Sequence, residues 1–185
     1  VKVLGDSSHR GTNITFQPDP EIFEDLVYDY DTLAKRLREL SYLNKGLYLT
    51  LVDERKKDED TGEFKHTTFF SEGGLKEFVK FIDQARTPLL EEPIHIFGKE
   101  ENIEVEVAMQ YNTGYQENIF SYVNNINTRE GGTHVSGFRR AINRLFKQYG
   151  DENNLFTKAK VEIAGDDFRE GLTAIISVKV PEPQF

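Results

Sequence analysis

The amino-acid sequence predicts a mixed fold of strands and helices, α+β or α/β with crossover connections. Three observations predict it. Some segments carry apolar residues at helical spacing, others alternate apolar and polar residues with the period of a half-buried strand, and the two kinds are interleaved along the chain. The 185 residues are 37% hydrophobic and 12% aromatic, mostly Phe and Tyr, which is enough for one large domain or two smaller units, each with a core.

The elements follow in order. Thr12-Asn13-Ile14-Thr15-Phe16 reads as a strand. Asp31 is placed to cap a helix over 31–44, with Leu33, Leu37, Leu40 and Leu43 on one face and Asn44-Lys45-Gly46 as the stop signal. Leu47, Leu49 and Leu51 then alternate with Tyr48, Thr50 and Val52, and the polar stretch from Lys56 to Gly62 returns into Phe64–Phe70, predicting a hairpin with a charged tip. At Ser71-Glu72-Gly73-Gly74 the pattern resets, which suggests a division into residues 1–72 and 73–185. Leu75, Phe78, Val79 and Ile82 make the stripe of a second helix running toward Arg86 before Pro88.

Ile103, Val105, Val107 and Met109 oppose Glu104, Glu106 and Gln110, the alternation of a half-buried strand, and the segment Ile119 to Val123 is expected to pair with it. Gly131-Gly132-Thr133 opens the longest helix, whose expected buried face is Phe138, Ile142, Leu145, Phe146 and Tyr149. A mobile-looking stretch from Gly150 to Asn154, a turn at Gly165-Asp166-Asp167 and a final strand from Thr173 to Val180 complete the chain. Both ends read as abrupt, with an extended exit at Pro181 and Pro183, and the chain is expected to be an internal piece.

Composition narrows the function classes. There is no cysteine, hence no disulfide framework and no thiolate metal site, which fits a cytoplasmic protein. No apolar run approaches ~18 residues and the first residues lack a signal-peptide layout, so no membrane span or targeting segment is predicted. A formal charge of −9 argues against nucleic-acid binding by the whole surface while leaving room for a local basic stripe.

Few residues carry chemistry. Gly131-Gly132-Thr133 at a helix start could offer N–H groups to an anion, although a glycine turn with a Thr133 cap is the plainer reading. Asp166, Asp167 and Glu170 could form an acid–base or metal cluster, but Asp before a short turn more often caps it, and no metal is assigned. His9, His66, His95 and His134 have no ligand spacing. The mixed-sign run from Asp53 to Asp60 reads as a solvated loop. Arg140, Arg144 and Lys147 lie at i, i+4 and i+7 on one helix face, with Arg139 beside them. This basic stripe is a candidate anion-facing surface, and a solvated helix face is its alternative. There is no Ser-His-carboxylate arrangement and no GxxxxGK phosphate loop.

Four motifs in order carry a resemblance that covers essentially the whole chain. Arg10-Gly11-Thr12-Asn13-Ile14-Thr15-Phe16-Gln17-Pro18-Asp19 resembles the GTxxxFxPD segment that closes the nucleotide site in the ATPase subunits of bacterial type IIA DNA topoisomerases. The segment from Leu33 to Asn44 resembles the last long helix of that ATPase domain. The run from Gly131 to Arg139 resembles the GGTHxxGFR motif of the adjoining transducer domain. The run from Gly165 to Leu172, with Ser177-Val178-Lys179-Val180, resembles the GxDxREGL…SVK block near the transducer's end.

The resemblance implies the C-terminal part of a GHKL ATPase domain over 1–72, followed over 73–185 by a ribosomal-S5-like transducer truncated before its Gln-Thr-Lys loop. It implies a parent enzyme that uses ATP and Mg, dimerises on binding ATP, clamps DNA and works with gyrase A, and a clamp needs a cationic inner wall, for which Arg139, Arg140, Arg144 and Lys147 are the DNA-facing candidates. Leu40-Ser41-Tyr42-Leu43-Asn44 is more similar to the gyrase branch than to topoisomerase IV. The family's catalytic Glu, Mg-binding Asn, adenine-binding Asp and lid find no counterpart in this sequence, so no catalytic residue is assigned. Thr12 alone carries over as a nucleotide-site residue, near the adenine; without the resemblance it reads as a β-branched strand residue. The different-class alternatives are a non-catalytic S5-like interaction module or a piece of another GHKL ATPase, and the GGTHxxGFR and GxDxREGL blocks argue against both.

Overall fold

The computed structural model describes residues 5, 6, 8, 10–14 and 18–184. A hairpin of β1 (Leu49–Lys57) and β2 (Phe64–Phe69) stands apart from a five-stranded sheet of β3 (Ile94–Glu100), β4 (Ile103–Tyr111), β5 (Asn118–Val123), β6 (Ile126–Asn127) and β7 (Leu172–Lys179). The larger sheet runs in the order β3-β4-β7-β5-β6. Its last strand in sequence is central in space: β7 pairs antiparallel with β4 and parallel with β5. A parallel neighbour requires a long crossover, and helices α3 (Thr133–Glu152) and α4 (Leu155–Ala159) lie in that connection. The fold is mixed, with antiparallel and parallel pairs in one sheet.

Burial explains why β7 is largely apolar, with Thr173 and Ser177 its only polar residues before Lys179. Ile175 packs with Ala108 and Tyr122 against Leu43 of α1 (Tyr30–Leu43) and against Leu75, Phe78 and Val79 of α2 (Leu75–Ile82). Its neighbours Ala174 and Ile176 point the other way, to Ile142 and Val135 of α3. Successive side chains alternate between faces, and here both faces are covered, so both sets are mainly apolar. The same holds for the second half of β4, where Val107, Ala108, Met109 and Gln110 are all buried. In the outer half of that strand Ile103 and Val105 are exposed while Glu104 and Glu106 are half-buried, so the alternation does not mark a buried apolar face there.

Several boundaries differ from expectation. Thr12, Asn13 and Ile14 are irregular and exposed, and the remaining residues of the strand expected there, Thr15 and Phe16, lie outside the described residues. The N-cap of α1 is Asp29, whose carboxylate accepts from the Thr32 N–H at 2.8 Å, and Asp31 falls in the first turn. Helix α2 stops at Ile82 because Asp83 turns inward. The Ile119–Val123 segment does not pair with the 103–111 strand: one edge of β4 bonds to β3 and the other to β7, and β5 joins beyond β7. Strand β3 was not anticipated; it is exposed throughout and so gave no burial pattern. Gly150 belongs to α3 and is buried.

Asp83 organises the junction of α2 with the sheet. Its buried carboxylate accepts from Thr173 Oγ1 at 2.7 Å, Asn112 Nδ2 at 3.1 Å and Arg86 Nη1 at 2.9 Å. A buried charge is tolerated only with such donors. The 71–74 segment is equally well fixed. Ser71 Oγ accepts from the Gly74 N–H at 2.8 Å and donates to Glu77 at 2.5 Å, and the Gly73 N–H donates to Glu77 at 2.8 Å. Farther along, Arg36 of α1 donates to the Asn125 carbonyl at 2.7 Å in the β5–β6 turn. Among the described residues no helix is long and apolar enough to cross a membrane.

The end of α3 is sealed by aromatics. Phe146, Phe168 and Phe156 follow one another with ring centroids 6.0 and 6.1 Å apart, and Phe156 lies directly on Gly150. A Cβ at position 150 would fall 2.0 Å from Cζ of Phe156. Gly150→Ala is therefore expected to lower stability by about 1–3 kcal/mol in urea denaturation, the cost of overpacking, although alanine is the better helix former. A gain in stability would mean that Phe156 is not held against α3.

Candidate nucleic-acid interface

Helix α3 begins without a side-chain cap. Gly131 and Gly132, at φ 81° and 153°, turn the chain through conformations that L side chains rarely adopt, and Thr133 is the first helical residue, not the cap. From there Val135, Phe138, Ile142 and Phe146 recur at steps of three and four and pack on the sheet. Two residues assigned to that face by spacing are exposed, Leu145 by 54% and Tyr149 by 61%. The wall against the last turns is made by Phe168 and Phe156, which cover Phe146 and Gly150 instead.

The buried row puts Arg140, Arg144 and Lys147 on the outer face, all exposed. Among the described residues, Arg140 and Arg144 have no hydrogen bond or ion pair, and Lys147 has only Asp151 at 3.2 Å, an exposed i,i+4 pair worth a few tenths of a kcal/mol. Arg139 is differently placed. It forms a two-point pair with Glu117, Nε to Oε1 at 3.0 Å and Nη2 to Oε2 at 2.8 Å, and that hydrogen bonding raises its pKa further above the ordinary arginine value.

Glu117 is a hub that sequence reasoning missed. It also accepts from Arg169 Nε at 2.8 Å, and Arg169 in turn donates to Asn143 of α3 at 2.7 Å, to the Gly165 carbonyl at 2.9 Å and to Asp166. The Asp166-Asp167 turn thus serves the fold: Asp166 holds Arg169, and Asp167 accepts the Ala164 N–H at 2.7 Å. Among the described residues no three His, Asp or Glu side chains converge on a metal position. The signal for the hub was present in Arg169-Glu170-Gly171, but nothing in the sequence joined it to Glu117 across 52 positions.

The other candidates are scattered. Thr12 is exposed in irregular chain. His134 lies at the start of α3, half-buried, with Nε2 3.2 Å from Thr128 Oγ1, and burial lowers its pKa. His95 meets Glu106 at 2.8 Å and His66 meets the Phe64 carbonyl at 3.1 Å, both on exposed strand surface, while His9 lies outside the described residues.

This fold, a mixed sheet crossed by one long helix, has counterparts among bacterial topoisomerase ATPase domains. The 43K ATPase domain of Thermus thermophilus gyrase B, solved with an aminocoumarin, matches with a TM-score of 0.75 and 39% identity over 91% of this chain and 44% of that one. The topoisomerase IV ATP-binding domain of Francisella tularensis matches at 0.70 and 27% identity over 91% of this chain and 43% of that one. The DNA gyrase B family profile matches residues 74–185, and the DNA gyrase B protein of Eisenibacter elegans is 61% identical over the whole chain. The chain belongs to the DNA gyrase B family. It spans 38% of the length of that relative.

The two arginines on Glu117 should differ in weight. The Arg169 side chain is 12% exposed and that of Arg139 44%. Arg169→Ala is expected to cost about 2–3 kcal/mol by urea denaturation, since it leaves Asn143 Oδ1 and the Gly165 carbonyl, both half-buried, without their donor, and Arg139→Ala about 1 kcal/mol or less. Equal losses would mean that the hub is not organised by burial.

Proposed function

We propose that this chain is the coupling piece of a gyrase-type ATPase protein, with residues 1–72 as the end of a GHKL ATPase domain and 73–185 as most of its S5-like transducer. The observation that carries the reading is the 61% identity to a gyrase B protein along the entire chain. In the parent enzyme, ATP and Mg are held mainly by residues outside this sequence, and ATP binding dimerises the gyrase B protein around DNA. Hydrolysis then drives strand passage and negative supercoiling together with gyrase A, in the cytoplasm. The catalytic Glu and Mg-binding Asn have no counterpart in this chain, so alone it turns over no ATP. Thr12 is the one residue assigned to the nucleotide site, where an aminocoumarin would also bind. The ATPase component of topoisomerase IV is the second reading, and the gyrase relatives favour the first.

The chain transmits the nucleotide state through packed structure. Helix α1 shares a core with α2 and the sheet through Leu43, and Arg36 grips the β5–β6 turn. A displacement of α1 therefore bears on the sheet and hence on α3. The outer face of α3 is the part that meets DNA. From Arg140 to Lys147 the helix rises about 10 Å at 1.5 Å per residue. Duplex DNA presents one charge per ~1.7 Å of axis, so these cations meet phosphates without reading bases. Arg139 flanks this surface while tied to Glu117.

In the complete enzyme, Arg140→Gln with Arg144→Gln is expected to leave DNA-independent ATPase activity unchanged. It should reduce the stimulation by DNA and the supercoiling rate, and lower the slope of log affinity against log salt by about 2. Stimulation equal to wild type across ~50–200 mM salt would remove α3 from the DNA contact.

A further inference from the structure

A cavity of about 650 Å³ opens between α1, α2 and the β5–β6 end of the large sheet. That volume is in the range of small-molecule sites. Its apolar part is aromatic: Phe78, Phe81, Phe120 and Tyr122 line it, with the Phe78 and Tyr122 rings 6.1 Å apart. Its polar rim is cationic, from Lys35 and Arg38 on α1 and Arg129 after β6.

These charges are not spent within the protein. Among the described residues Lys35 and Arg129 form no ion pair, and Arg38 lies over the rings of Phe69 and Phe81 at 5.7 and 5.3 Å, contacts that orient a guanidinium without neutralising it. The single carboxylate at the rim, Glu39, is held by Arg36 at 3.0 Å. A chain of net charge −9 thus keeps three uncompensated cations around one aromatic hollow.

A second observation points inward. Tyr122 is fully buried, and among the described residues its hydroxyl has no partner within hydrogen-bonding geometry. Buried hydroxyls are nearly always paired, so this donor calls for an acceptor. An anion with a flat hydrophobic body meets the first two conditions directly, stacking on the rings and facing the cations, and a small shift of the lining brings its carboxylate to Tyr122 Oη, which is closed to solvent in this structure.

We propose that this cavity is a binding site for a small aromatic carboxylate, distinct from the nucleotide position assigned to Thr12 and from the outer face of α3. Because α1 forms one wall and β5–β6 the other, an occupant bridges the two units and bears on their relative movement. Ring contacts supply most of the affinity, and the cations select the charge.

The probe is 2-naphthoate, titrated calorimetrically into the protein and into Lys35→Ala, Arg129→Ala and Tyr122→Phe, with 2-naphthamide as the uncharged comparison. Lys35 and Arg129 form no ion pair that holds the fold, so their variants keep the wild-type melting temperature. Saturable binding is expected, weakened about tenfold by either cation variant and by the amide, and measurably by Tyr122→Phe. Absence of saturable binding would overturn the proposal. So would equal affinity for the amide, or affinity unaffected by both cation variants, which would reduce the cavity to a nonspecific apolar hollow.

Discussion

Strand β7 is hydrogen-bonded along both edges and covered on both faces, and the position of every other element in the 73–185 region follows from that. Its antiparallel edge fixes β4 and, through it, β3. Its parallel edge fixes β5, which forces the chain between them to cross over a sheet face and so produces α3. The alternate side chains of β7 assign α2 and α1 to one face and α3 to the other. The strand follows β3, β4, β5 and β6 in sequence, so the sheet cannot close around its centre until all of them have been made. Such long-range pairing is slow to form.

Charge is arranged with the same economy. The protein carries 32 acidic and 23 basic residues, yet α3 presents Arg140 and Arg144 with no partner among the described residues. Arg139, one position from Arg140, is captured by Glu117. A helix turns 100° per residue, so neighbouring residues face different surroundings, and neighbouring arginines of equal chemistry acquire different roles. Glu117 also draws Arg169 and the Asp166 turn against α3, so the helix is fastened at its flank by ion pairs and beneath by apolar contacts. On the outer face Arg140 and Arg144 stay unpaired among the described residues, which is what the proposed contact with phosphate requires.

The helices were largely legible because their signal is local. Leu75, Phe78, Val79 and Ile82 sit one turn apart, and α2 spans them. The local β1–β2 hairpin was legible too, but the pairings of the larger sheet were not, since proximity in sequence favoured pairing 119–123 with 103–109, whereas the actual partner, β7, lies some fifty residues downstream. Val135 escaped notice because it precedes the dense apolar run, and Leu145 and Tyr149 were over-read because spacing specifies a face without saying how far the covering wall extends. The same limit applied to the candidate site. The positions of Arg140, Arg144 and Lys147 on one face follow from helical geometry alone. The capture of Arg139 depends on a glutamate that only folding brings near, and the motifs bearing the family resemblance recorded Arg169 without revealing its bond to Glu117.

The most direct measurement of the central claim is contact itself. A photoreactive benzoylphenylalanine at Gln148, on the exposed side of α3 and leaving all four cations in place, is irradiated in the complete enzyme bound to duplex DNA, with the same residue at Glu54 on the β1–β2 hairpin as comparison. The account predicts a crosslink from position 148 that fades as salt rises and none from position 54. Equal yields from both positions, or no crosslink from 148 while DNA is bound, would contradict it.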